Sequence, residues 1–152
     1  MSSFAQQSPV LARLEDAMNR GCADGAKDGA KTAADFHKMT ARIIEETHPN
    51  SGKRNFALKA LQNKISEIDD MLFERKKKLI EGKREDLSKM NLSESAIFKE
   101  MSIIDIYFYR YNTAFGYAPI LGVNEGVDNE PLKSEIRYRR LLENYCLDAF
   151  KK

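Results

Sequence analysis

Small residues recur every four positions between residues 21 and 34, and this spacing constrains the fold more than any other feature of the sequence. The tetrapeptide Asp-Gly-Ala-Lys occurs twice in succession, at residues 24–31. In a helix, positions four apart lie on one face, so these residues would form a smooth strip that another backbone can approach closely. Two adjacent rows make up this glycine strip: Gly21, Gly25, Gly29 and Ala33, and beside them Cys22, Ala26, Ala30 and Ala34. The strip predicts a helix that packs tightly against a second element.

The glycine strip has an alternative interpretation, as flexible chain between two short helices. Each interior glycine costs a helix about 1 kcal/mol relative to alanine, and Asp-Gly is a common turn signal. The packed helix is favoured because the small residues continue as far as Ala34. Such a helix needs a packing partner, and the sequence leaves open whether that partner belongs to the same chain or to another.

Prolines and apolar periodicity divide the remaining chain into helical segments. A first helix is predicted to start near Pro9, to run through the glycine strip and to stop before Pro49. A second helix has an apolar seam spaced by three and four residues, in which Arg75 interrupts the series before Leu79 rejoins it. The residues of this seam are Leu58, Leu61, Ile65, Ile68, Leu72 and Leu79. The seam indicates an antiparallel helical hairpin inside one domain.

Two further helices are predicted after the seam. Ser93 is expected to cap a third helix, although the isoleucine and aromatic density of residues 103–111 would also suit a strand. Residues 116–129 contain three glycines and one proline and are predicted to form a long loop. Pro131 is predicted to open the last helix. Its expected core positions are Leu132, Ile136, Leu141, Tyr145 and Phe150.

The predicted fold class is therefore all-α, a compact bundle of four or five helices whose first helix carries the glycine strip. A chain of 152 residues is long enough to bury one sizeable core. We expect a single helical domain over residues 9–152, preceded by a flexible N-terminus at residues 1–8.

No pattern in the sequence indicates catalysis. His37 and His48 are the two histidines, and neither stands in a spacing that gathers metal ligands. The glycine strip lacks the GxxxxGK[ST] pattern of a phosphate-binding loop, and no serine stands in GxSxG. We therefore predict a protein that is not an enzyme and that uses no metal or cofactor.

The two cysteines, Cys22 and Cys146, lie far apart and lack CxxC spacing. Reduced thiols in a cytosolic protein are the simplest expectation, and a disulfide between the two is the alternative. The N-terminal residues lack the features of a secretory signal, and no segment reaches the length needed to span a bilayer. The predicted location is the cytoplasm, or a host cytosol into which the protein is delivered, with no membrane partner.

Six aromatic residues between positions 107 and 117 cover more than one face of a helix, so they cannot all enter a core on one side. Tyrosine is enriched at protein interfaces because it combines an apolar ring with a polar tip. We predict a protein–protein interaction or adaptor module that binds another protein or a second copy of itself. The predicted protein-binding residues are Gly21, Gly25, Gly29, Tyr107, Tyr109, Tyr111 and Tyr117. The alternative is an aromatic helix buried on several sides within the bundle.

Two basic clusters support a second hypothesis, a helical nucleic-acid-binding subunit. The clusters are Arg75, Lys76, Lys77 and Lys78 and, farther along the chain, Arg137, Arg139 and Arg140. If they converge on one face, they could bind phosphates together. A net charge of only +2 and the acidic residues around the first cluster favour an ordinary solvated helix face instead. Protein binding is therefore the first hypothesis and nucleic-acid binding the second.

Overall fold

A computed structural model describes residues 9–128, 133–144 and 146 of the chain. Within these ranges the regular secondary structure consists of helices and includes no strand, which confirms the predicted all-α bundle. Residues 1–8, expected to be flexible, and Pro131, expected to open the last helix, lie outside the described residues. The helices are α1 (Pro9–Thr47), α2 (Ser51–Ser88), α3 (Glu94–Phe115), α4 (Ala118–Val127) and α5 (Lys133–Asn144).

α1 covers Pro9–Thr47, which confirms that it continues through the glycine strip and ends before Pro49. A short turn follows, in which the side chain of Asn50 accepts a hydrogen bond from the backbone N–H of Lys53 at 3.0 Å and so caps α2. Three interior glycines make α1 a poor helix on its own. Its continuity therefore depends on what packs against it.

α3 and α4 both run parallel to α1, because residue numbers rise together along the paired helices. They follow one another along α1, and the change of helix occurs at Gly116, which has a φ of +56°. The contacts between α1 and α3 join Gly21 to Tyr107 and Gly25 to Tyr111. Those between α1 and α4 join Ala33 to Gly122 and Thr40 to Gly126. α3 also confirms the predicted Ser93 cap, whose hydroxyl accepts from the backbone N–H of Ala96, and it is helical throughout residues 103–111.

The prediction of a loop over residues 116–129 is wrong, because Ala118–Val127 form α4. Pro119 lies in the first turn of this helix, where the missing N–H has no intrahelical partner to lose. Ala118, Gly122 and Gly126 are all buried and recur every four residues. Glycine and proline therefore serve here as a second small-residue surface rather than as chain breakers.

α5 crosses α1 in the opposite direction, since Tyr138 lies against Gly29 while Cys146 is joined to Cys22. The expectation of reduced thiols is thus wrong, and the alternative of a disulfide between the two cysteines is what the structure contains. Ile136 was expected in the core but is 54% exposed, whereas Tyr138 is fully buried.

Of the other predicted core positions in this segment, Leu141 packs against the core as a half-buried side chain. Leu132, Tyr145 and Phe150 lie outside the described residues.

Candidate functional site

Two glycines of the glycine strip, Gly21 and Gly25, lie in close contact with the backbone of α3 in the same chain. A Cβ placed on Gly21 would overlap the backbone carbonyl of Tyr107 and lie 3.2 Å from its Cα atom. A Cβ on Gly25 would do the same at Tyr111, 3.0 Å from its Cα atom. Backbone therefore rests on backbone at these two positions, which only glycine permits.

A hydroxyl–carboxylate pair accompanies each of these two glycine contacts. The hydroxyl of Tyr107 donates to the carboxylate of Asp24, and the hydroxyl of Tyr111 donates to Asp28. The Asp-Gly repeat explains the arrangement, since both the donors and the acceptors recur every four residues on parallel helices. Burial, and then the hydrogen bond to the neighbouring carboxylate, raise the pKa of both tyrosines well above the ordinary value.

The third glycine of the strip meets a side chain instead of α3. Gly29 faces the ring of Tyr138, and a Cβ there would lie 2.8 Å from the ring carbon Cζ. The Tyr138 hydroxyl donates to the backbone carbonyl of Phe115 at 2.7 Å, so α5 closes the end of the α1–α3 contact. Burial raises the pKa of Tyr138. Tyr138 was not among the core positions expected for this segment.

Five of the predicted protein-binding residues therefore lie in an intramolecular contact. Gly21, Gly25 and Gly29 are buried, and Tyr107 and Tyr111 cover two of them. The question of whether the glycine strip packs within one chain or between chains is answered in favour of the same chain. The remaining two, Tyr109 and Tyr117, are 67% and 71% exposed.

α2 packs quite differently, because only Leu61 and Leu87 along it are buried. Between its middle and α3 lies a cavity of about 600 Å³, lined by residues 69–84 of α2 and 107–116 of α3. We call this the α2–α3 cleft. A second cavity, of about 640 Å³, lies among α1, α2 and α3, and Arg75, Tyr107 and Phe108 line both cavities.

Arg75 lies where the apolar seam of α2 is interrupted, one turn after Leu72, which still packs against the core. A guanidinium group is costly to bury without a partner. Arg75 is accordingly exposed, and it lines both cavities together with Tyr107 of α3.

Three residues of the first basic cluster line the α2–α3 cleft, and one residue of the second cluster lies beside a residue of its lining. Arg75, Lys76 and Lys77 line the cleft, as does Gly116, against which the guanidinium of Arg137 lies. Lys78 lines the other cavity. On α5, Arg139 pairs with Glu135 at 3.4 Å, and Arg140 is exposed. Arg137 is therefore the member of the second cluster for which the structure shows a contact with the lining of the cleft.

Within the described ranges, no group of three or more histidine, cysteine, aspartate or glutamate side chains is placed to hold a metal ion. None of the helices in those ranges combines the length and the apolar character needed to cross a membrane. No family model, curated protein or solved structure matches the chain.

Proposed function

We propose that the protein is a non-enzymatic protein–protein interaction module whose partner surface includes the exposed tyrosines of the α3–α4 segment. The proposal rests on the difference in solvent exposure among the aromatic residues of this segment. Tyr107, Phe108, Tyr111 and Phe115 are packed internally, whereas Tyr109 and Tyr117 project into solvent. Ile120, in the first turn of α4, adds a third large exposed apolar side chain.

Exposed tyrosines at a helix junction suit protein recognition for a physical reason. Each offers a large, stiff apolar surface that loses little conformational entropy on binding, and its hydroxyl can find a hydrogen-bond partner. Such residues commonly contribute about 2 kcal/mol or more to an interface when they are fully covered by the partner. A second copy of the chain is one partner that this surface could accept.

Site-specific photocrosslinking tests the proposal directly. A benzoylphenylalanine placed at position 109 or 117 should give a discrete product with a protein in an extract of the native cells, and unlabelled protein should compete for it. The matched control carries the probe at the exposed Lys59 of α2. A product of twice the chain mass would identify self-association, whereas equal labelling from all three positions would contradict the proposal.

Tyr109→Ala and Tyr117→Ala then test the energetics. Because both side chains are exposed, their loss should leave the melting temperature nearly unchanged while weakening binding to the crosslinked partner about tenfold or more. Equal affinities of the variants and the parent protein would remove these tyrosines from the interface.

The nucleic-acid alternative retains one specific support. Among the described residues, none of Arg75, Lys76, Lys77 and Arg84 takes part in an ion pair, so their charges are available to an anionic ligand. If these residues bind phosphates, affinity for nucleic acid should fall steeply with salt, and reversing charges in the first cluster should flatten that dependence. Absence of binding at low salt would exclude this alternative.

The compartment is a separate question. The predicted cytoplasmic or host-cytosolic location rested on the lack of a secretory signal and of a membrane-spanning segment, and the expectation of reduced thiols agreed with it. The disulfide between Cys22 and Cys146 favours an oxidising compartment instead. Alkylation of thiols in protein trapped rapidly from intact cells would distinguish the two, since reduced protein gains two labels and oxidised protein gains none.

A further inference from the structure

The α2–α3 cleft has the size and lining of a small-molecule site. Its volume of about 600 Å³ falls within the range of about 300–1,000 Å³ that is typical of ligand pockets. The interior is formed mainly by apolar and aromatic side chains from both helices. These include Leu72, Phe73 and Ile80 of α2 and Phe108 and Phe115 of α3.

One of these side chains shows that the cleft exposes apolar surface to solvent. Phe73 is 65% exposed, although it lies directly beside the cavity and within reach of α3. The apolar walls are therefore available to an apolar ligand, and covering them would remove area from water.

The cleft also carries an excess of positive charge. Four cationic side chains line it, Arg75, Lys76, Lys77 and Arg84, against two acidic ones, Asp69 and Glu81. None of the four cations forms an ion pair with another described residue. Arg75 is the one of the four that lies at the interruption of the apolar seam and lines both cavities.

We propose that the α2–α3 cleft binds a single-chain anionic amphiphile, with its alkyl chain along the apolar walls and its carboxylate or phosphate head at Arg75. The apolar walls select the chain, and the unpaired guanidinium supplies a bidentate donor for the head. In this proposal the interruption of the seam at Arg75 keeps the cleft open for the ligand, because an apolar residue at position 75 would let α2 pack directly against α3. This inference goes beyond the proposed function, since the cleft is distinct from the exposed tyrosines.

The proposal is tested with defined amphiphiles below their critical micelle concentrations, by calorimetric titration of the full chain. Octanoate, decanoate and dodecanoate should bind one per chain, with Kd falling about fourfold for each added methylene until the cleft is filled. Dodecyl phosphate should resemble dodecanoate, dodecanol should bind about tenfold more weakly, and dodecyltrimethylammonium should show no saturable binding. Equal affinity for the anionic and cationic amphiphiles would overturn the proposal.

Variants identify the cleft as the site. Arg75→Gln should weaken dodecanoate about tenfold while leaving dodecanol unchanged, and the exposed Lys59→Gln on the same helix should change neither. Ile80→Trp, which fills the cleft, should weaken both ligands, and circular dichroism should show that each variant remains helical. Identical dodecanoate binding by Arg75→Gln and Lys59→Gln would overturn the assignment.

Other occupants of the cleft would give different results. Binding to vesicles of anionic phospholipid without binding to monomeric dodecanoate would indicate a membrane surface. A dimer in analytical ultracentrifugation that is lost in Arg75→Leu would indicate a second copy of the chain. Either outcome, without saturable binding of dodecanoate, contradicts the proposal.

Discussion

α1 and α2 are almost equal in length, with 39 and 38 residues. Ten residues of α1 are buried, however, whereas only two residues of α2 are. The sequence alone would suggest that α2 is the more buried helix, because α2 has an apolar seam whereas α1 contains three interior glycines. The difference shows that closeness of approach decides burial here. α1 presents a surface without side chains to α3, whereas α2 presents Arg75 and stands apart.

α5 packs against α1, and the disulfide between Cys22 and Cys146 fixes the end of α5 to the glycine strip. Replacing both Cys22 and Cys146 with alanine should lower the free energy of unfolding by about 5 kcal/mol, because the crosslink spans 124 residues of the denatured chain. Urea denaturation measures the change. Hydrogen exchange should show that protection falls first in α5 and not in α2, and equal stability with and without reductant would contradict the expectation.

A side chain on the glycine strip should separate α1 from α3. Gly25→Leu is expected to lower the free energy of unfolding by about 3 kcal/mol, since the new side chain meets the backbone of Tyr111 and not a movable side chain. The melting temperature should fall by the same amount at every protein concentration, because the partner lies in the same chain. The exposed Lys27→Leu is the matched control, and a loss comparable to that in Gly25→Leu would contradict the close-packing explanation.

The tyrosine–aspartate pairs make the same contact sensitive to alkaline pH. Since folding raises the pKa of Tyr107 and Tyr111, their contribution is fully present below the unfolded pKa of about 10 and is lost as the pH rises above it. The free energy of unfolding should decline there by up to about 1.4 kcal/mol per pH unit for each tyrosine that stays protonated when folded. Replacing both tyrosines with phenylalanine should flatten this decline, and an unchanged slope would separate it from these residues.

The smallest expected effect has the opposite sign and lies in α2. A Cβ at Gly82 would meet nothing within 4 Å, so Gly82→Ala should stabilise the protein by about 0.5–1 kcal/mol through helix propensity alone. The identical substitution at Gly25 should destabilise it. Thermal unfolding of Gly82→Ala and Gly25→Ala therefore compares the two helices most directly. Melting temperatures that shift in the same direction in both variants would contradict the proposed difference in packing between α1 and α2.

Much of the helical architecture follows from local signals in the sequence. Pro9 and Pro49 bracket α1, Ser93 caps α3, and the four-residue spacing of small residues indicates close packing. The same spacing at Ala118, Gly122 and Gly126 could have identified α4, but the glycine and proline content of that segment outweighed it. The error came from treating glycine as a breaker without asking whether its positions share a face.

The candidate sites were less predictable, because they depend on which elements meet. The sequence shows only that Tyr109 lies on a different face of the helix from Tyr107 and Tyr111. Which face is covered depends on where α1 packs. Likewise, the interruption of the seam at Arg75 is visible in the sequence, while the cavity beside it requires α3 to be in place. Tyr138 could not be selected over Ile136 without the crossing of α5 over Gly29.

The parallel pairing of α1 with α3 also determines when the chain can fold. The pairs that join these helices, Arg13 with Glu100, Asp24 with Tyr107 and Asp28 with Tyr111, are separated by 87, 83 and 83 residues. During synthesis α1 emerges first, but its glycines leave it unstable until α3 has followed and all of α2 has returned the chain to the starting end. Contacts of such long range slow folding relative to a bundle of sequential hairpins. Of the five described helices, the one synthesised first is therefore among the last to become stable.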